Sequence, residues 1–196
     1  MKKRQYTMRA RADSARATHQ RILEAAEEQF LGRWYDEVTL EQVAEQAGVS
    51  KQTVLRRFGS KEALFAAVAD DLARQVEDHR AQVPVGDLER AAAVLSSDHE
   101  RTALASTRLE AMQERFPSLE PILEQGRARR KAWIEGTLNG VLPPKSNKAY
   151  RRRLAMAMDV TSAQTWKVLR HDLRLGRKEA ERAVYELLRG IEQLQG

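Results

Sequence analysis

Apolar residues recur every three or four positions along most of the chain, a spacing that predicts helices and no strands. The first helix is expected over about 14–31, because Ile22, Ala26 and Phe30 then share one buried face. Gly32 is expected to end this helix. The scarcity of glycine and proline, 10 and 5 in 196 residues, also favours an all-helical chain.

Short polar residues and glycines divide the next segment into short helices. Helices are predicted over 51–58 and 61–82, and a shorter one precedes them. The residues expected to cap or end these helices are Thr39, Gly48, Ser50, Gly59 and Ser60. Gln42 lies three residues after Thr39, so the pair forms a predicted capping box. A helix, a glycine turn and a second helix in this order indicate a helix-turn-helix.

A second helical region is expected after Pro84. The predicted helices cover 87–95, 98–116, 118–142, 148–175 and 178–195. The last helix carries an apolar stripe formed by Ala180, Val184, Leu187, Ile191 and Leu194. Such a stripe suits a subunit interface, but it equally suits the core of a single subunit.

Charge is concentrated at the start of the chain. Residues 1–21 hold seven basic residues and one acidic residue, and this accounts for the net charge of +6. We expect residues 1–12 to form a disordered basic arm that either contacts phosphate or stays in solvent. The chain has no cysteine and no apolar run long enough to span a membrane, so a cytoplasmic protein is expected.

The third predicted helix carries side chains that match base edges. Gln52 suits adenine, Lys51 or Arg56 suits guanine, and Thr53 suits a base edge or a thymine methyl. Lys61 begins a helix, where its ammonium and free backbone N–H groups suit a phosphate. The alternative is that these side chains are only the solvated surface of a small bundle.

The helix-turn-helix region resembles the DNA-binding domain of the TetR family of transcriptional regulators, closely over residues 14–65. The residues that carry the resemblance are Val43, Ala44, Gly48, Val49, Ser50, Thr53, Val54, Phe58, Ser60, Lys61, Glu62, Leu64 and Phe65. On this basis the predicted DNA-contacting residues are Thr39, Ser50, Lys51, Gln52, Thr53, Leu55, Arg56, Arg57 and Lys61.

Two residues depart from the family pattern. Leu55 stands where the family usually has a tyrosine that hydrogen-bonds a phosphate, and Arg57 stands where it has tyrosine or histidine. Leu55 cannot make that hydrogen bond but can touch a thymine methyl, whereas Arg57 can contact phosphate or read guanine. These two departures do not change the predicted class of protein, but they leave open which of the residues contact bases and which contact phosphates.

The resemblance also implies a homodimer on a palindromic operator, built mainly from the last two helices of each subunit packed as a four-helix bundle. It further implies a small-molecule effector that releases the DNA. The implied effector pocket is lined by candidates Leu109, Met112, Trp133, Ile134, Met156 and Met158. These residues equally suit an ordinary core. The basic run Arg127–Lys131 is interpreted as a solvated helix face that covers apolar surface.

The sequence therefore predicts an all-α protein of about nine helices. The predicted segments are a basic arm at 1–12, a three-helix DNA-binding domain at 13–59, and an effector-binding and dimerisation domain at 60–196. Its predicted function is regulation of transcription, as a repressor. The alternative is a helical adaptor that keeps the fold without binding an operator. No catalytic, metal or cofactor motif is recognised, so an enzyme is not expected.

Overall fold

A computed structural model describes residues 2–139 and 141–194, with 2–11 described as backbone only. Within these residues all regular structure is helical, which confirms the predicted fold class. The α-helices are α1 (Lys2–Gly32), α2 (Leu40–Gln46), α3 (Lys51–Phe58), α4 (Lys61–Arg80), α5 (Leu88–Ala111), α6 (Glu120–Thr137), α7 (Tyr150–Val160), α8 (Ala163–Lys167) and α9 (Arg177–Gln193). None of the described helices is long and apolar enough to cross a membrane.

The chain divides into two compact units, Met1–Asp71 and Leu72–Gly196. In the first unit the core is formed by apolar side chains from all of its helices. Ile22, Val43, Val54 and Leu64 are completely buried, each from a different helix. The Phe65 ring packs edge-on against Phe30 and Tyr35, with centroids 4.9 and 5.2 Å apart. This packing anchors the short helices that would be unstable alone.

α1 is longer than the sequence predicted. It begins at Lys2 rather than near residue 14, so the backbone of 2–12 is helical where disorder was expected. The segment contains no glycine or proline and several good helix formers, so it can extend a helix that is already nucleated. Its role as a DNA-contacting arm stays a prediction.

The predicted caps of the short helices are confirmed. Thr39 Oγ1 accepts a hydrogen bond from the Gln42 backbone N–H, and the Gln42 side chain accepts one from the Thr39 N–H in return. Ser50 Oγ caps α3 and Ser60 Oγ caps α4 in the same way. Gly59 has φ +83°, a backbone conformation that suits glycine and stops α3.

In the second unit, α5 is one continuous helix where the sequence predicted two. Ser96 and Ser97 were interpreted as a break, but neither is a strong helix breaker. Ser96, Asp98 and His99 are instead buried within the helix. The core around α5 comes mainly from α6, α7, α8 and α9.

The predicted helix over 148–175 is wrong, because it is broken after Val160. Ser162 takes an extended conformation and its Oγ caps α8 by accepting from the Thr165 N–H at 3.0 Å. The following segment Val168–Asp172 is a π-helical turn. The break frees the Thr161 carbonyl to accept a hydrogen bond from His99 Nε2 at 3.1 Å.

The apolar stripe of α9 faces the core of its own unit for the most part. Ala180, Val184 and Ile191 are buried as predicted, and Leu188 is buried with them. Leu187 instead lies on a different face and is 46% exposed. The core of the unit therefore accounts for three of the five predicted stripe residues, while Leu187 and also Leu194, 39% exposed, remain uncovered.

Candidate nucleic-acid interface

α3 presents one apolar and one polar face. Val54 is completely buried, whereas Lys51, Gln52 and Arg56 are exposed. The apolar side holds the helix against the first unit, and the polar side chains therefore project outward. An exposed polar helix of this length, braced by α2, has the form of a recognition helix.

Lys51 is engaged by a neighbouring acid. Its Nζ donates to Glu41 Oε1 on α2, and the two groups form an ion pair. The same hydrogen bond lowers the pKa of the Glu41 carboxyl, which keeps that carboxyl charged. Lys51 must therefore exchange this carboxylate for a phosphate or base when it contacts DNA.

The hydroxyl groups predicted to contact DNA also serve as helix caps. Ser50 Oγ lies 3.0 Å from Thr53 Oγ1, so the two hydroxyls hydrogen-bond at the start of α3. Thr39 and Ser50 are exposed and Thr53 is half-buried. The free backbone N–H groups at these helix starts suit phosphate oxygens, so capping and phosphate contact are compatible.

The two residues that depart from the family pattern are less exposed than Arg56. Leu55 is half-buried, and so is Arg57, whose Nε is buried without a hydrogen-bond partner. Phe58 is also half-buried, and its ring stacks on His19 of α1 at a centroid distance of 4.8 Å. Arg57 is thus partly turned toward the domain, although the sequence placed it on the outer face.

Lys61 lies at the start of α4 above an aromatic ring. Its Nζ is 4.4 Å from the Tyr35 ring centroid, and burial lowers the pKa of the ammonium. Burial and the nearby Glu62 carboxylate raise the pKa of Tyr35 to about 12. The ring therefore stays neutral and positions Lys61 by a cation–π contact at the end where a phosphate is expected.

The candidate effector residues are dispersed in the second unit. Ile134 is in the core cluster, and Trp133 and Met158 pack against it. Met112 is buried, Leu109 is half-buried and Met156 is 38% exposed. An open groove lined by Glu135, Asn139, Leu142, Pro143, Pro144, Lys145 and Tyr150 includes none of the six. Their contact with an effector stays a prediction.

Two residues near α3 were missed by the sequence analysis. Glu41 follows the capping residue of α2 by two positions, and nothing in the local pattern pairs it with Lys51. Tyr35 was not among the predicted site residues, yet it supports Lys61 through its ring. The Glu41–Lys51 pair and the Tyr35–Lys61 contact both join different elements, and the helical periodicity within one element does not predict such contacts.

Comparison with known proteins supports the geometry of this region. Residues 22–68 match the family model described as bacterial regulatory proteins, tetR family. A segment of 63 residues is 48% identical to the HTH-type transcriptional regulatory protein RaaS of Mycobacterium tuberculosis. That match covers 32% of this chain and spans only 29% of the relative's length.

Solved structures share the fold over most of the chain. A TetR-family transcriptional regulator from Streptomyces coelicolor has TM-score 0.71 and 17% identity, covering 89% of this chain and 78% of that chain. A transcriptional regulator from Rhodococcus sp. Rha1 has TM-score 0.70 and 18% identity, covering 89% and 95%. The family consists of DNA-binding regulators rather than enzymes. Residues 22–68 therefore match the family model of bacterial regulatory proteins of the tetR family, and most of the chain shares the fold of solved regulators of that family.

Proposed function

We propose that the chain is a sequence-specific DNA-binding regulator of transcription in the bacterial cytoplasm. The observation that supports this most directly is α3, with Val54 buried beneath it and Lys51, Gln52 and Arg56 exposed. In the proposed complex α3 enters the major groove and its exposed side chains contact base edges. Thr39, Ser50, Thr53, Leu55, Arg57 and Lys61 complete the proposed contact surface.

The regulator acts in our proposal as a homodimer on a palindromic operator. A two-fold dimer places two reading helices one turn of DNA apart, roughly 34 Å, and matches two half-sites. The uncovered Leu187 on α9 supports an interface at that helix. A small effector bound in the second unit favours a state that does not bind DNA, which makes the protein a repressor.

The proposal is tested by titrating fluorescent genomic fragments, including the protein's own promoter, and following anisotropy at fixed salt. Arg56→Ala is expected to weaken specific binding by about 1–3 kcal/mol, because a guanidinium facing a base edge is lost. The exposed Arg90 of α5 provides the control, since Arg90→Ala should leave affinity unchanged. Removal of residues 1–12 should also flatten the salt dependence if the arm contacts phosphate.

The same titration separates the alternative, a helical adaptor that does not bind an operator. Half-buried Leu55 in place of a phosphate-bonding hydroxyl is the observation that favours it. An adaptor would bind every fragment weakly, and Arg56→Ala would change nothing. Specific binding that falls with Arg56→Ala and not with Arg90→Ala would exclude it.

A further inference from the structure

The basic run Arg127–Lys131 on α6 is not uniform, although the sequence suggested one solvated face. Arg127 pairs with Glu120 at 2.7 Å, and Arg129 pairs with Glu77 at 3.3 Å. Lys131 is exposed to solvent. Arg130 differs from its neighbours because it is half-buried, and no described carboxylate lies within 4.0 Å of it. Its Nε is also buried without a hydrogen-bond partner.

The surroundings of Arg130 leave its positive charge poorly compensated. Burial lowers the pKa of the guanidinium, and Arg80 and Arg127 lower it further. Glu110 and Asp159 act in the opposite direction but do not form an ion pair with it. A buried charge without a partner is costly, so an arginine kept in this position calls for an anion.

Asp98, a buried carboxylate on α5, is already paired with other cations. Asp98 is 8% exposed and accepts from Arg80 Nε at 2.8 Å and from His79 Nδ1 at 2.9 Å. The Arg80 guanidinium also lies 5.0 Å from the centre of the Trp133 ring. This pairing fixes Arg80, whereas the buried Nε of Arg130 keeps spare hydrogen-bonding capacity.

A second buried group with spare hydrogen-bonding capacity, His99, directly follows Asp98 on α5. Asp98 binds Arg80, whose guanidinium lies against Trp133, three residues after Arg130 on α6. His99 is 8% exposed, and its Nε2 donates to the Thr161 carbonyl, while Nδ1 is buried without a partner. A carbonyl can only accept, so the proton lies on Nε2 and Nδ1 is an acceptor. Burial foremost, with Arg80 and Arg130 contributing, lowers the pKa of His99 to about 4 and keeps it neutral.

We propose that Arg130 and His99 form a recognition site for a small carboxylic acid that also carries a hydroxyl group. The carboxylate would pair with the Arg130 guanidinium, and the hydroxyl would donate to His99 Nδ1. Trp133 lies beside Arg80 and offers an apolar ring to the body of the molecule. The inference rests on the proposed function in one respect, that this acid is the effector.

The charges of the region select against other ligands. A cationic ligand would be repelled by Arg80, Arg127 and Arg130, and a neutral one would leave the Arg130 charge uncompensated. A simple inorganic anion would satisfy Arg130 but supply no donor for His99 Nδ1. A hydroxy acid satisfies both groups at once.

The test uses the full chain and three probes, which are 4-hydroxybenzoate, benzoate and 4-hydroxybenzamide. Binding is measured by tryptophan fluorescence and by thermal shift without DNA. We expect 4-hydroxybenzoate to raise the melting temperature, benzoate to bind more weakly, and the uncharged amide to have no effect. Arg130→Met should weaken 4-hydroxybenzoate at least about tenfold. It should also raise the melting temperature of the unliganded protein, because the uncompensated charge is removed.

Matched variants separate recognition from folding. Arg129→Met, next on the helix but already paired with Glu77, should bind the acid normally. His99→Gln keeps a donor for the Thr161 carbonyl but loses the Nδ1 acceptor, so it should bind 4-hydroxybenzoate no better than benzoate. If Arg130→Met does not fold, Arg130→Lys keeps the charge and should bind the acid more weakly than wild type.

The inference is overturned if neither acid binds the wild type at millimolar concentration, or if Arg130→Met or Arg130→Lys binds 4-hydroxybenzoate as tightly as wild type does. Anisotropy with operator DNA is measured separately. DNA binding without acid binding would reject this site and leave the proposed function standing. Acid binding without DNA binding would support the site and reject the proposed function.

Discussion

At the scale of single residues, one of the exposed side chains of α3 already forms an ion pair with an acidic side chain of the same domain. The Glu41 carboxylate pairs with the ammonium of Lys51, which is one of the side chains proposed to contact DNA. Both side chains are exposed, so the pair contributes little to stability. Its consequence lies in binding, because Lys51 is fully available to DNA only after this carboxylate is displaced.

We predict that Glu41→Gln increases affinity for DNA about threefold at low salt, because it releases Lys51 and removes a charge that repels phosphate. Glu45→Gln on the same helix is the control, since the Glu45 side chain is exposed and pairs with no other described side chain. Anisotropy titrations measure both variants. Equal gains from the two substitutions would mean that only net charge matters.

A second prediction at this scale concerns the pH dependence of stability. Burial keeps the pKa of His99 at about 4 in the folded chain, against 6.5 for the free side chain. The unfolded state therefore binds the proton first as pH falls, and the free energy of unfolding should drop by roughly 2 kcal/mol between pH 7 and pH 5. Urea unfolding measures this drop, which should be absent in His99→Gln. A drop of equal size in His99→Gln would assign it to other groups.

At the scale of elements, the helix ends of the DNA-binding domain follow from local chemistry. Capping side chains lie within three residues of the N–H groups that they satisfy, so the caps of α2, α3 and α4 were predictable. The break at Ser162 was not predictable, because the apolar periodicity continues through it. The ion pair of Lys51 and the buried position of Arg130 were missed for a similar reason, since both depend on packing between helices.

The glycine that ends α3 gives a prediction at this scale. Gly59 has φ +83°, so Gly59→Ala should lower the free energy of unfolding by about 1–2 kcal/mol. Gly126 is the control because it lies within α6 with open space around it. Gly126→Ala should stabilise by up to about 1 kcal/mol. Urea unfolding distinguishes the expected loss of stability in Gly59→Ala from the expected gain in Gly126→Ala. Destabilisation by both variants would contradict the role assigned to the positive φ of Gly59.

At the scale of the whole molecule, the proposed dimer depends on what α9 leaves uncovered. Most of its apolar stripe is used in the core of its own unit, whereas Leu187 is 46% exposed. An exposed leucine alone is ordinary. Its position on the helix that the family resemblance assigns to the subunit interface makes it the residue to test.

We predict that Leu187→Glu converts the proposed dimer to monomers in sedimentation experiments at micromolar concentration, because two carboxylates would be buried in the proposed interface. The protein should then lose binding to full operators more than to half-sites. Val85, which is 66% exposed in the loop before α5, supplies the control variant Val85→Glu. A variant that remains dimeric would place the interface elsewhere.

The interrupted helix after Val160 has a consequence for spectroscopy. The carbonyl of Thr161 fixes the proton of His99 on Nε2, so the ring should exist as a single tautomer at neutral pH. Nitrogen-15 NMR distinguishes the protonated from the unprotonated ring nitrogen, and His99 should give one well-separated pair of resonances. A ligand that donates a hydrogen bond to Nδ1 would shift one resonance of the pair. The nitrogen-15 spectrum of His99 can therefore show whether a ligand is bound beside this imidazole.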